Sequence, residues 1–133
     1  MSDVSTRAAE IVASLTELSS EIRRVVLADS SGRVLAGSVG EEGRGLARVG
    51  LELLALASSA GSAGAAVEHV VVAGTAGAVF AVRVGERTAV ATTTPEPAEA
   101  LVLHDLRTCL RRLDEPEAPR KRRRAKAQEP ADA

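Results

Sequence analysis

The order of the predicted segments constrains this chain more than any single motif. Apolar and turn-forming residues predict a helix, two strands, a second helix, three strands and a closing helix within residues 1–113 of 133. The last three strands fall in residues 67–94, where β-branched runs are interrupted at Thr75-Ala76-Gly77 and Gly85-Glu86-Arg87. Such short connections predict an antiparallel meander and an α+β fold, a combination typical of small regulatory and scaffold modules.

The first third of the chain predicts a helix followed by a hairpin. Apolar residues from Ala8 to Ile22 recur at helical spacing, and Asp3 or Ser5 can cap the start of this helix. The next segment, RRVVLADSSGRVLAGS, holds two short strands around Asp29-Ser30-Ser31-Gly32, whose residue types favour a turn.

The second helix, predicted over residues 44–60, is too apolar for a helix that only covers its own sheet. Its apolar side chains span an arc of about 220°, against the roughly 100° that suffices for a surface helix. Because no spare element remains to cover the excess, we infer a partner subunit, most simply a second copy. The residues predicted for self-association are Leu46, Val49, Leu53, Leu54 and Leu56 of this helix, with His69 and Val71 of the third strand.

The closing helix is predicted to begin at Thr94-Pro95-Glu96-Pro97, with Thr94 as its cap. Residues 114–133 contain no Val, Ile, Leu or aromatic residue, so they are predicted to be a disordered charged tail. A basic cluster in the tail could bind anionic nucleic acid or lipid. Its members are Arg120, Lys121, Arg122, Arg123, Arg124 and Lys126.

Composition narrows the function classes further. The net charge is −1, and residues 1–113 carry 11 basic and 13 acidic side chains, so this part of the chain has no strongly positive field for nucleic acid. One cysteine excludes an internal disulfide and favours a reducing compartment. With no signal-peptide pattern and no apolar run of membrane-spanning length, the expected location is the cytoplasm.

Residues that could support catalysis are few. His69 and His104 belong to no recognisable triad or metal-binding pattern, and Cys109 lies on the apolar side of its helix. The glycine-rich segment from Gly40 to Gly45 precedes a helix but lacks the Lys and Ser or Thr of a phosphate-binding loop. The sequence therefore predicts a protein without catalytic residues, metal or cofactor.

The chain resembles the roadblock (dynein light chain) family in its bacterial form. The resemblance rests on the hairpin VVLADSSGRVLAGS, the helix LARVGLELLALA, the meander from Val67 to Thr94 and the closing helix EALVLHDLRTCLRRL. It implies a profilin-like sandwich, in which a five-stranded antiparallel sheet carries helices on both faces. It also implies a homodimer joined through the second helix and the third strand.

The same resemblance implies a function. Bacterial members are similar to partners and activators of small Ras-like GTPases, and they act without a catalytic residue of their own. The leading hypothesis is a homodimeric regulatory or scaffold module that binds such a GTPase. Two alternatives stay open. One is a nucleic-acid or membrane adaptor that acts through the tail. The other is a small-ligand or protein-binding sensor domain of profilin-like fold, in which Ala73, Gly74, Ala78 and Ala81 could form a ligand cavity.

Overall fold

The structure, a computed structural model, describes residues 2–38, 40, 42–61 and 67–114. Its elements follow the predicted order, and the strands form one antiparallel sheet in the order β2-β1-β5-β4-β3. The predicted α+β class and five-stranded antiparallel sheet are confirmed. The elements are α1 (Ser2–Leu18), β1 (Ile22–Asp29), β2 (Val34–Gly37), α2 (Glu42–Ala60), β3 (His69–Gly74), β4 (Gly77–Val84), β5 (Arg87–Thr93) and α3 (Glu99–Asp114).

Helices cover both faces of the sheet, and the apolar core is divided accordingly. Alternate residues of β1, β4 and β5 point toward α1 and α3, where they form the larger cluster around Phe80, the one aromatic residue of the chain. On the opposite face, Val26, Ala28 and Val90 form a smaller cluster with Ala47 of α2. Each central strand is therefore buried on both sides, which explains the short uninterrupted apolar runs at residues 25–28, 78–82 and 89–91.

The turn between β1 and β2 is organised by one carboxylate. Asp29 Oδ1 accepts hydrogen bonds from the Ser31 N–H (3.0 Å), the Ser31 hydroxyl (2.8 Å) and the Arg33 N–H (3.0 Å). The hydrogen bond from the Ser31 hydroxyl is the largest cause that lowers the pKa of Asp29; desolvation opposes it, and the backbone N–H groups of Arg33 and Ser31 add smaller lowering effects. Gly32, at φ 94°, completes the turn because its conformation suits a residue without a Cβ.

We expect Asp29→Ala to destabilise the domain by about 1 kcal/mol, because the three donors of this exposed turn lose their common acceptor. Asp29→Asn keeps an acceptor oxygen and should lose less than half as much. Because folding lowers the pKa of Asp29, its ionised carboxylate adds to the free energy of unfolding at pH values above the ordinary pKa of 3.8. This contribution is lost as the pH falls through the lowered pKa of the folded state. Urea unfolding of both variants at neutral and acidic pH measures this; equal losses for Ala and Asn at neutral pH would contradict the assigned role.

The predicted start of the closing helix is wrong: α3 begins at Glu99, several residues after Thr94. Thr94 and Glu96 each precede a proline, a position that disfavours the helical conformation, and Glu96 has a φ of 53°. The cap comes from elsewhere in the chain, since the Ala98 N–H lies 3.2 Å from both carboxylate oxygens of Glu21. The Glu21 carbonyl also accepts a hydrogen bond from the Thr94 N–H (2.9 Å).

The other end of α3 is also held by the first part of the chain. Arg7 of α1 donates from Nη1 to the Leu113 carbonyl at 2.8 Å, across 106 residues of sequence. This bond satisfies one of the carbonyl groups that a helix leaves unpaired at its C-terminus, and a cation there is also favoured by the helix dipole. Arg7 and Glu21 thus fix opposite ends of the same helix.

The structure also differs from the sequence-based expectations for the start of α2 and for a ligand cavity. The second helix begins at Glu42 rather than Arg44. The proposed ligand cavity is not formed, because Ala73 and Gly74 are exposed while Ala78 and Ala81 are buried on opposite faces of β4.

The basic cluster Arg120–Arg124 with Lys126, and the tail beyond residue 114, lie outside the described residues. Among the helices that are described, none has the length and apolar character that a bilayer crossing requires.

Candidate interaction surface

One side of α2 lies directly on the sheet. Ala47 and Leu54 are fully buried there, and Gly50 between them lets the helix backbone approach Val90 of β5. A Cβ at Gly50 would lie 2.9 Å from Val90 Cγ1 and closer still to Cγ2. Leu54 is therefore a core residue of the protomer, and its assignment to a subunit interface is wrong because none of its surface reaches a partner.

The neighbouring side of α2 is apolar yet uncovered. Val49 is 44% exposed and Leu56 is 67% exposed, and the half-buried Leu53 lies between them at helical spacing. Leu46 is half-buried and packs against the smaller core cluster. Of the residues predicted for self-association on α2, the structure thus places Val49, Leu53 and Leu56 on one accessible stripe, with Leu46 at its inner margin.

The two residues predicted for self-association on β3 lie on the sheet face opposite α2. Val71 packs against the cluster under α1 and α3, and Arg107 of α3 donates from Nη2 to His69 Nδ1 at 2.9 Å. Side chains alternate along a strand, so the α2 face of β3 carries Val70 and Val72 instead. Val72 is 46% exposed and is paired with Val79, which packs against the cluster beneath α2.

Strand β3 is also an open edge of the sheet. It lies last in the strand order and pairs with β4 alone among the described strands, through all six of its residues. The backbone groups on its outer side can therefore pair with a further strand. We call this edge and the apolar side chains beside it the α2–β3 surface, formed by Val49, Leu53 and Leu56 of α2 with Val70 and Val72 of β3.

The structure brings no catalytic set together. His104 is exposed on α3, and His69 is engaged by Arg107. No group of three or more His, Cys, Asp or Glu side chains within residues 2–38, 42–61 and 67–114 is placed to hold a metal ion. At the start of α2, the Gly43 N–H donates to the Gly40 carbonyl at 3.0 Å and is used within the chain. Among the described residues, these side chains form no catalytic or metal-binding set.

Cys109 lies in the core at the α1–α3 contact, with 5% of its surface exposed. Burial raises the pKa of its thiol from 9.0 to about 11, with Arg112 lowering and Asp105 raising it to smaller extents. At pH 8 only about one thiol in a thousand would then be ionised, and the thiolate is the reactive form. The residue is a small apolar core side chain rather than a redox centre.

We expect Cys109 to react at least 100-fold more slowly than an unfolded thiol with an aromatic disulfide reagent at pH 8, since burial restricts both access and ionisation. In urea, Cys109 should react at the rate of an unfolded thiol, and one equivalent of thiol should react per chain. The absorbance of the aromatic thiolate that the reagent releases measures both rates. A native rate close to the denatured one would show that this part of α3 is open.

Comparison with known proteins gives a clear result only at the level of structure. No family sequence model matches the chain, and no curated protein matches it either. The Roadblock/LC7 domain from Streptomyces avermitilis superposes with a TM-score of 0.70 at 18% identity, covering 77% of this chain and 90% of that one. The gliding protein MglB from Thermus thermophilus gives a TM-score of 0.63 at 20% identity, covering 80% and 85%.

A third solved structure, MglB described as having a tetrameric arrangement, superposes with a TM-score of 0.61 at 18% identity, covering 84% of this chain and 85% of that one. The three superpositions identify the class of fold to which this five-stranded sandwich belongs. The chain has the Roadblock/LC7 fold.

Proposed function

We propose that this protein is a non-catalytic, homodimeric regulatory module that binds a small Ras-like GTPase. The proposed dimer is supported by the α2–β3 surface, where the apolar stripe of α2 adjoins the open edge of β3, which is unpaired among the described strands. A second copy related by a twofold axis would place helix against helix, and its β3 would pair antiparallel with this one. The two sheets would then become continuous, and both the apolar side chains and the edge backbone groups would be covered.

The GTPase part of the proposal rests on the resemblance to bacterial roadblock proteins, supported by the likeness to MglB structures. The tetrameric arrangement described for one MglB structure supports self-association of this fold. The absence of a catalytic or metal-binding set among the described side chains is compatible with a regulator that positions a partner enzyme. Such a module would act on the conformation of the GTPase rather than on the nucleotide directly.

The test is affinity capture by the tagged full-length protein from a lysate of its own organism, with excess GTP in one sample and GDP in the other. Mass spectrometry should identify one small GTPase whose recovery differs between the two nucleotides. The purified protein alone should release no phosphate from GTP. Failure to recover a GTPase with either nucleotide, while the protein remains a dimer, would contradict the regulatory assignment and leave the dimer intact as a scaffold.

A further inference from the structure

A hollow of about 310 Å³ lies away from the α2–β3 surface, between the segment before β3, the end of β4 and the last two turns of α3. Arg83 of β4 lines it from one side. Arg107 and Arg111, one turn apart on α3, line it from the other. The other lining residues are Val67, Glu68, Val84 and Gly85.

Among the described residues that line this hollow, the positive charges outnumber the negative ones. Among the described residues, none of the three guanidinium groups forms an ion pair with a carboxylate, while the nearby Asp114 lies 3.5 Å from Arg87. Arg107 donates to His69 Nδ1 rather than to a carboxylate. Like charges one turn apart on a helix repel each other, and an anion bound between them would relieve that repulsion.

The charge balance indicates which anion would fit. Three guanidinium groups and the Glu68 carboxylate leave two net positive charges, and a phosphate monoester carries about −1.5 to −2 at neutral pH. The planar fork of arginine matches the oxygens of phosphate in pairs. The volume is at the lower end of the range of small-ligand sites, roughly 300–1,000 Å³.

We propose that this hollow is a binding site for a phosphate group. Arg107 and Arg111 hold the phosphate oxygens from α3, and Arg83 contacts it from β4. The site does not depend on the proposed dimer or on the GTPase. The phosphate belongs either to a small molecule or to a phosphorylated side chain of a protein, and the chemistry of recognition is the same for both.

The experiment is a titration of the full-length ¹⁵N-labelled protein, followed by amide chemical shifts at constant ionic strength. The probes are inorganic phosphate, a peptide containing one phosphoserine, and citrate as a carboxylate of higher negative charge. We expect saturable shifts at Glu68, Arg83 and Gly85 and in α3 around Arg107 and Arg111 with a phosphate probe. The stronger of the two phosphate probes identifies the source, and citrate should bind at least about tenfold more weakly.

Two double variants test whether the phosphate binds in this hollow. Arg107→Gln with Arg111→Gln should weaken binding of the stronger phosphate probe at least about tenfold, since each removes a charge-assisted hydrogen-bond donor. The matched control is Arg44→Gln with Arg48→Gln, an exposed pair at the same spacing on α2 that lines a different hollow. The control should bind as the unchanged protein does, and circular dichroism checks that both variants are folded.

Three results would overturn the proposal. They are the absence of saturable shifts with either phosphate probe, unchanged binding in the Arg107 and Arg111 double variant, and equal binding of citrate. Loss of phosphate binding in the α2 control as well would also count against it, because the effect would then follow from net charge alone. None of these results bears on capture of a GTPase, so failure of this site is distinguishable from failure of the proposed function.

Discussion

Leu56→Asp should convert the proposed dimer into a folded monomer. The side chain is 67% exposed in the protomer, so the substitution removes little from the core, whereas in a twofold contact it introduces two carboxylates into an apolar interface. We expect the dissociation constant to rise at least about 100-fold, because both copies of the residue are lost at once. Light scattering coupled to size-exclusion chromatography gives the mass, and circular dichroism gives the fold.

The chain offers matched controls for this substitution. Leu18 at the end of α1 and Leu101 at the start of α3 are 85% and 56% exposed, and both lie on the opposite side of the sheet. Leu18→Asp and Leu101→Asp should therefore leave the dimer unchanged. A Leu56→Asp protein that stays dimeric would reject the α2–β3 surface as the interface, and monomers from Leu18→Asp or Leu101→Asp would place the interface on the other face.

Gly50→Ala should destabilise the domain by about 2 kcal/mol, although alanine is a better helix former than glycine. The added Cβ collides with both γ-methyl groups of Val90, so α2 must lift from the sheet or Val90 must change rotamer. In a domain of this size a loss of this magnitude lowers the melting temperature by roughly 8 °C or more. Thermal and urea unfolding of the purified variant measure it.

Gly45 supplies the control, because a Cβ at that position in the same helix meets no atom within 4 Å. Gly45→Ala should stabilise the protein by about 0.5–1 kcal/mol through helix propensity alone. In a background carrying Val90→Ala, Gly50→Ala should lose most of its cost because the colliding methyl groups are absent. Equal costs of Gly50→Ala in both backgrounds would show that helix–sheet contact is not the cause.

Local patterns were sufficient to predict the order and type of the elements. Glycine and Asp-Ser breaks marked both turns of the meander and the first hairpin, and helical spacing marked the three helices. The wide apolar arc of α2 predicted correctly that part of this helix is uncovered. It did not show which leucines face the sheet, because Leu53 and Leu54 are adjacent and only packing separates the core from the exposed stripe.

The errors have specific physical causes. Val70, Val71 and Val72 are identical in type, so no alternation in the sequence shows which side of β3 faces α2. The start of α3 depends on a carboxylate 77 residues earlier, which no local motif reveals. The arginine hollow likewise joins Arg83 to Arg107 and Arg111 through tertiary structure alone, so it could not be found by scanning for a short phosphate-binding motif.

The bonds from Arg7 and Glu21 to the two ends of α3 also bear on how the chain folds during synthesis. Strand β1 needs β5 as its inner neighbour, and α3, the last of the described elements to be synthesised, packs against the first helix. A nascent chain that has emerged only as far as Val84 therefore holds unpaired strand edges and uncovered apolar side chains. We expect stable structure to appear on the ribosome in a single late step, after Asp114 has left the exit tunnel. Shortening the chain from either end past these contacts would remove at least one of the bonds that Arg7 and Glu21 make to α3.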